Sequence, residues 1–315
     1  MNKKSKILII GFGSIGQRHY KNLKKLGYKN LYVFDTNKKV ISNSKFQIPN
    51  FNADTLKEFK IVFICTPNNL HIKHTLAAAR AGCHLFIEKP LSHNLKDIDK
   101  LKKIIKAKKL INLIACNLRF HPCLQFVKRY LDSKKIGQVY AIHHEFGYYL
   151  PYWRSGIDYT KNYAAKKSTG GGIILDDIHE FDLLFWLNNF KPVKQSKFIY
   201  NKISNLKIET EDCCVASFKF SNIIASVRCD YLQQQESRHC KIIGEQGNLE
   251  IDLLKNTVYL NNKQGSKNIF ALKRKDDNDD YLGQLKYFLN CVNNKKQTFN
   301  DISTAQKTLE YIFNR

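Results

Sequence analysis

Ile7-Leu8-Ile9-Ile10-Gly11-Phe12-Gly13-Ser14-Ile15-Gly16 decides the fold of this 315-residue chain. Four aliphatic residues in a row read as a strand buried on both faces, as in parallel sheets. The glycines that follow have the spacing G-x-G-x-x-G, and the next stretch carries Ile15, Leu23 and Leu26 on one helical face. Strand, loop and helix in that order make the dinucleotide fingerprint. The first glycine permits the tight turn, the second lets backbone approach a pyrophosphate, and the third lets helix pack on strand. Unpaired N–H groups at the helix N-terminus then face the phosphates. Asp35 ends the next apolar stretch, 19 residues beyond Gly16, where a carboxylate accepts hydrogen bonds from the adenosine ribose hydroxyls. A carboxylate repels a 2′-phosphate, so NAD is the expected cofactor, while Lys38 and Lys39 close by keep NADP open.

Outward from this stretch, short apolar runs alternate with amphipathic ones. Strands are expected at Ile7–Ile10, Leu31–Phe34, 61–65, 85–87 and 111–115, and helices at about 15–26, 70–81 and 94–108. The second of these helices is rich in alanine and ends at Gly82, a C-cap signal. This is the pattern of a doubly wound, parallel α/β sheet. From about Val139 the texture changes to longer segments rich in β-branched and aromatic residues, at 139–150, 193–203, 213–220, 223–231 and 238–243. One helix, 173–187, interrupts them, and two more, 281–293 and 303–313, close the chain. The expected division is a Rossmann domain over 1–121 and an α+β domain over 122–315 with a large, mostly antiparallel sheet. The open face of such a sheet suits burial against a second copy, so a homodimer or homotetramer is expected.

Composition narrows the class. Hydrophobic residues make up 43% and charged residues 25%, ordinary globular values. The longest apolar runs fall far short of a membrane span. The first residues, Met1-Asn2-Lys3-Lys4 before Ile7–Ile10, lack the cleavage site of a signal peptide, so a cytoplasmic protein without membrane attachment is expected. Nine cysteines include no C-x-x-C pair and no His/Cys spacing suited to zinc, which points to reduced thiols and no metal. His71 and His74 lie three apart on a helix, with no third ligand suggested. The net charge of +25 attracts anions in general. Its densest run, 96–109, is the solvated face of a helix whose apolar stripe is Ile98, Leu101, Ile104 and Ile105. No nucleic-acid module accompanies it, and none is expected as a partner.

Four further stretches carry a family resemblance. Cys65-Thr66-Pro67-Asn68-Asn69-Leu70-His71 resembles a T-P-x-x-x-H turn after a fourth strand. The segment from Gly82-Cys83-His84 to Glu88-Lys89-Pro90-Leu91 resembles G-x-H-V-x-x-E-K-P-L. Asn117-Leu118-Arg119-Phe120-His121-Pro122 resembles the N-x-R-F-x-P end of a sixth strand. Gly170-Gly171-Gly172, followed by Asp176 and His179, resembles G-G-G-x-x-x-D with its nearby histidine. Together they resemble the glucose–fructose oxidoreductase / inositol dehydrogenase / MocA family over nearly the whole chain. The family implies a Rossmann domain, an open-faced C-terminal sheet used for oligomerisation, and oxidation or reduction of sugars, cyclitols and related hydroxy compounds. Tyr148 to Arg154, Asp158-Tyr159, Tyr163 to Lys167 and His179-Glu180 are similar to a subgroup acting on activated sugars for surface glycans. Many members separate aspartate and histidine by four residues; here Asp176 and His179 are three apart, and both spacings share one helical face.

The site follows from chemistry and resemblance together. Removing a hydride from an alcohol carbon needs a base for the hydroxyl proton and a positive group for the developing alkoxide. Lys89, at the end of a parallel strand where such sheets bind ligands, is by resemblance beside the nicotinamide and the reacting hydroxyl. His179 is the acid/base candidate because imidazole titrates near working pH; it lies off the apolar stripe of Ile174, Ile178, Phe181 and Phe185. Asp176 orients or tunes Lys89 and His179, and which of the pair carries the proton stays open. Cofactor contacts are expected from Gly11, Phe12, Gly13, Ser14, Ile15, Gly16 and Asp35, and by resemblance from Thr66, Pro67, His71, Glu88, Lys89, Trp153 and Arg154. Substrate contacts are expected from Lys89, Asn117, Arg119, His121, Arg154, Tyr163, Asp176 and His179. The Arg154 guanidinium suits either the cofactor or a substrate phosphate or carboxylate. The expected function is an NAD(P)-dependent oxidoreductase passing a hydride between nicotinamide and a hydroxyl carbon of a sugar or sugar derivative, with an anionic substrate favoured. An enzyme retaining NAD for epimerisation, elimination or glycoside cleavage is the alternative, and a non-enzymatic sensor the next.

Overall fold

The computed structural model describes residues 3–41, 48, 52–153, 156, 158–273, 276 and 278–313. The first half of the chain runs β1 (Ile7–Ile10), α1 (Ser14–Lys25), β2 (Leu31–Phe34), α2 (Lys38–Ile41), α3 (Ala53–Lys57), β3 (Ile61–Ile64), α4 (His71–Ala81), β4 (His84–Glu88), α5 (Ile98–Ala107), β5 (Asn112–Ala115) and α6 (Pro122–Asp132). The second half runs β6 (Val139–Tyr149), α7 (Ile173–Asp176), α8 (Ile178–Leu187), β7 (Gln195–Asn201), β8 (Cys213–Lys219), β9 (Ile224–Asp230), β10 (Leu232–Gly244), β11 (Gly247–Asp252), β12 (Thr257–Asn262), β13 (Gly265–Ala271), α9 (Asn278–Asn293) and α10 (Ile302–Phe313). Two compact units result: residues up to Cys116 with Tyr281–Phe313, and Asn117–Asp280.

In the first unit five parallel strands lie in the order β2-β1-β3-β4-β5. Every residue of β1, β3 and β5 is buried, which explains why these strands are apolar runs rather than alternating ones. Phe63 and Phe86 stack at 4.6 Å, and Phe288 meets Phe86 edge-on at 5.4 Å. Phe288 belongs to α9, whose Leu285, Leu289 and Val292 join the same core as Ile7 and Ile9. The residues after α9 also cover the sheet edge: Ile114 N–H donates to Asn300 O at 2.9 Å, and Asn300 Nδ2 returns a bond to Ile114 O at 2.8 Å. Thus the expected cut, 1–121 against 122–315, is corrected in two ways. The chain changes unit at 116/117, and the closing helices return to the first unit because their apolar faces fill its core.

The second unit is built on eight strands in the order β13-β12-β11-β10-β6-β9-β8-β7. All neighbours are antiparallel except β6 and β9. Helix α8 lays Phe181 and Phe185 against Phe198 and Phe218 of the sheet, with Phe185 and Phe218 at 5.2 Å. The other face is a ladder of polar pairs. His143 bonds Ser226 at 2.9 Å, Arg228 meets Glu145 at 3.3 Å, and Lys241 meets Glu250 at 2.9 Å. The same face also exposes Ile199 opposite Val215 on β7 and β8, Ile224 on β9 and Tyr259 on β12.

Other differences from the sequence reading have local causes. The expected helix 173–187 is two, because Asp177 leaves helical geometry at φ −98°, ψ 32°. Helix α5 starts at Ile98 rather than 94, after Asp97 in the left-handed region at φ 62°. Strands β11, β12 and β13 and helix α6 were not anticipated. Among the described residues the T-P-x-x-x-H turn follows the third strand and N-x-R-F-x-P the fifth. No helix among them is long and apolar enough to cross a membrane.

Candidate functional site

In the first unit the three glycines divide their work as their surroundings require. Gly11 has φ +89°, and a Cβ there would lie 2.5 Å from Cys65 O. At Gly16 a Cβ would lie 2.1 Å from Gly11 O, so the third glycine is what lets α1 seat on the strand. Gly13 is exposed, and a Cβ there would meet nothing within 4 Å. Helix α1 starts at this glycine with no side-chain cap and no acidic residue in its first turn. Its N-terminal partial positive charge is left for an anion. Phe12 N–H donates to Asp35 Oδ2 at 2.6 Å and Asn37 N–H donates to Asp35 Oδ1 at 2.8 Å. Each bond uses one acceptor site per oxygen, leaving the half-exposed carboxylate aimed and able to accept hydroxyls. These residues fit a bound dinucleotide: Gly11 to Gly16 for the pyrophosphate and Asp35 for the adenosine ribose.

The Lys89 turn is braced from two sides. Glu88, buried at the end of β4, meets His19 Nε2 of α1 at 2.7 Å, and His19 is fully buried against Phe63 and Phe86. His71, also buried, places Nδ1 2.7 Å from Pro90 O and Nε2 2.8 Å from Thr66 O. Burial pulls the His71 pKa below its ordinary value, while the two carbonyls, each within hydrogen-bond distance of a ring nitrogen, pull it up. The ring ties the Thr66-Pro67 turn to the Lys89-Pro90 turn. His74, drawn down to about 4 by burial and Lys73, stays neutral at working pH beside Thr66 Oγ1 at 3.3 Å. Lys89 itself is partly exposed.

In the second unit Asp176 ends α7 with its carboxylate buried. Three phenols reach it: Tyr163 at 2.5 Å on Oδ1, and Tyr148 and Tyr231 at 3.3 and 3.2 Å on Oδ2. His179 is partly exposed in the first turn of α8. Because the helix breaks at Asp177, the shared helical face expected for Asp176 and His179 does not exist. Trp153, 43% exposed, packs over Tyr148 at 4.1 Å. Arg154 lies outside the described residues.

Two expected substrate contacts are placed elsewhere. Arg119 is 1% exposed, gives Nε and Nη2 to Asp182 at 2.8 and 2.7 Å, and stands over Phe190. His121 is buried and caps α6 by accepting Cys123 N–H at 3.2 Å. Both are structural here. Asn117 is buried at the start of the turn Asn117–Phe120.

Sequence reasoning missed the groups behind these residues. Glu180, next to His179, is fully buried against His144 at 3.0 Å and Arg238, whose Nε lies at 3.1 Å. Burial pushes the Glu180 carboxyl up, but Arg238 and His144 outweigh it and hold it at about 2. For His144, burial pulls down while Cys240 and Glu180 carry it to about 10. The triad fixes α8 to β6 and β10. The available signal was alternation: Ile142, His144 and Phe146 on β6, and Arg238, Cys240 and Ile242 on β10, place basic side chains in inward-facing rows.

Comparison with known proteins gives the family. Residues 5–115 match "Oxidoreductase family, NAD-binding Rossmann fold", and residues 124–250 match "GFO/IDH/MocA C-terminal domain". The chain is 30% identical to levoglucosan dehydrogenase of Pseudarthrobacter phenanthrenivorans over 41% of its own length but 33% of that protein's. It is 27% identical to myo-inositol 2-dehydrogenase of Thermotoga maritima over 91% of its length and 88% of that protein's. Among solved structures, UDP-N-acetylglucosamine 3-dehydrogenase from Acidithiobacillus ferrooxidans superposes with a TM-score of 0.80 at 19% identity, covering 99% of this chain and 96% of that one. The chain belongs to the GFO/IDH/MocA family of oxidoreductases, with an NAD-binding Rossmann fold as its first unit.

Proposed function

We propose that this protein is an NAD-dependent dehydrogenase acting on a secondary hydroxyl of a sugar or sugar derivative, with an anionic, nucleotide-activated or acidic sugar preferred. The observation that carries the reading is Asp176: a buried carboxylate gripped by three phenols, three residues from a partly exposed histidine, in a chain that also keeps an intact dinucleotide loop. A ligand sensor on the same fold has no need of such a group. When bound, the nicotinamide supplies the hydride acceptor. Lys89 steadies the alkoxide, His179 takes the hydroxyl proton, and Asp176 supplies a fixed negative charge. The preference for NAD over NADP rests on Asp35 and its two backbone bonds. Preference for an anion rests on the net charge of +25 and on Arg154, Lys166 and Lys167; Arg119 no longer contributes. Assembly of two or four copies through the polar outer face of the eight-stranded sheet, in the cytoplasm, completes the proposal.

The test is kinetic. Purified enzyme with NAD should oxidise nucleotide-activated or acidic sugars with a kcat/KM well above that for free sugars and polyols. Arg154→Ala should raise KM for the anionic sugar strongly while leaving NAD affinity nearly unchanged. Equal turnover of a neutral polyol, or collapse of NAD affinity in Arg154→Ala, contradicts the anionic reading.

A further inference from the structure

The phenols around Asp176 come from three separate parts of the second unit. Tyr148 is the penultimate residue of β6, Tyr231 joins β9 to β10, and Tyr163 opens the short helical turn Tyr163–Ala165. Tyr148 and Tyr231 are fully buried, with rings 5.4 Å apart. Phenylalanine would fill those volumes without bringing polar atoms into the core. Both hydroxyls instead share one oxygen, Asp176 Oδ2, while Tyr163 holds Oδ1.

A carboxylate taken out of water without donors reverts to its neutral form, and each hydroxyl donated to it favours the anion. Asp177, which follows it in the chain, brings a second acidic charge to the same phenols. The three hydroxyls donate to the anion and favour it. Burial, then the charges of Asp176 and Asp177, push the Tyr148 and Tyr231 phenols well above their ordinary values. Those phenols therefore stay protonated and remain donors at any working pH. A carboxylate held this way is a weak base, whereas a general base works best when its pKa lies near the operating pH. That argues the proton away from Asp176 and towards His179.

We propose that Tyr148 and Tyr231 are positioning residues for the reaction: with Tyr163 they hold Asp176 as a fixed, ionised carboxylate that takes no proton during turnover. This rests on the dehydrogenase reading above. In the balanced step the substrate C–H bond breaks with its electron pair passing to NAD, the O–H proton passes to His179, and a carbonyl forms.

The variants Tyr148→Phe and Tyr231→Phe remove one oxygen each and keep the ring. In protein labelled with carboxyl-13C aspartate, without cofactor or substrate, the Asp176 signal is identified by its loss in Asp176→Asn. Its titration midpoint should move to higher pH in both variants. In turnover assays each variant should lose about tenfold or more in kcat, the effect of one hydrogen bond to a charged group, with KM and NAD affinity little changed. The acid limb of the kcat profile should keep its midpoint in both and vanish in His179→Gln. An Asp176 signal that does not move in either variant overturns the anchoring. An acid limb that shifts with the tyrosine variants makes Asp176 the proton carrier and overturns the assignment. Failure to turn over any sugar would remove the dehydrogenase reading and the catalytic role with it, while the NMR arm alone still decides whether the phenols hold the anion.

Discussion

Gly13→Ala and Gly16→Ala, substitutions three residues apart, should have opposite consequences. At Gly13 the backbone is extended, φ −67° and ψ −166°, a conformation alanine adopts freely. The added methyl meets nothing within 4 Å. Folding should be unharmed or stabilised by about 0.4–1 kcal/mol through the unfolded state. NAD affinity should fall, because the methyl occupies the space through which backbone N–H groups approach the pyrophosphate. Loss of one hydrogen bond to a charged group is worth about 1.5–3 kcal/mol, or roughly ten- to hundredfold in Kd. At Gly16 the methyl would lie 2.1 Å from Gly11 O, a backbone atom that cannot swing away. The helix must lift from the strand, at about 1–3 kcal/mol or more, lowering Tm by roughly 2–12 °C. Thermal unfolding and calorimetric titration with NAD read both effects. Gly13→Ala binding NAD as tightly as wild type, or Gly16→Ala melting at the wild-type temperature, refutes the division of roles.

Asp35→Ala should weaken NAD binding and narrow its preference over NADP; titration showing wild type favouring NADP defeats the ribose assignment. The buried triad makes stability depend on pH at both ends. Glu180 is depressed to about 2, so its contribution is present above the ordinary carboxylate value and is lost as pH falls towards 2. His144 is raised to about 10, so its contribution is full below the ordinary imidazole value and is lost as pH rises through about 10. Glu180→Gln should flatten both arms in a plot of denaturant midpoint against pH and cost about 3–5 kcal/mol, the effect of breaking a buried pair. Phe288→Ala should destabilise the first unit by about 3–5 kcal/mol; wild-type stability in urea would separate the closing helices from that core.

The sequence revealed most where local pattern and tertiary role coincide. Ile7–Ile10 and the glycines after it need only local geometry and burial, and both were readable. The closing helices were not, because an amphipathic helix states which face it buries but not against which sheet; Phe288 meets Phe86 across about two hundred positions of chain. Strand β12 is half-exposed and β13 largely exposed, and they carry consecutive polar residues, Asn261-Asn262 and Ser266-Lys267-Asn268, so alternation is weak there. Within the candidate site, spacing and resemblance singled out Asp176 and His179. The break at Asp177 was not, since aspartate also suits a helical first turn. Arg119 illustrates the converse: an arginine after a strand end reads as a ligand contact until Asp182, from another helix, is seen to hold it. Tyr148 and Tyr231 read as core aromatics, and only the fold brings their hydroxyls to one oxygen.

Formation of NADH from NAD across a panel of nucleotide-activated, acidic and neutral sugars tests the central claim most directly, with wild type beside Lys89→Ala and His179→Gln. Wild type should reduce NAD with at least one anionic sugar, His179→Gln should bind NAD normally, and both variants should lose turnover by orders of magnitude. An enzyme that binds NAD but reduces none of it with any sugar, or variants that turn over as fast as wild type, would contradict the account.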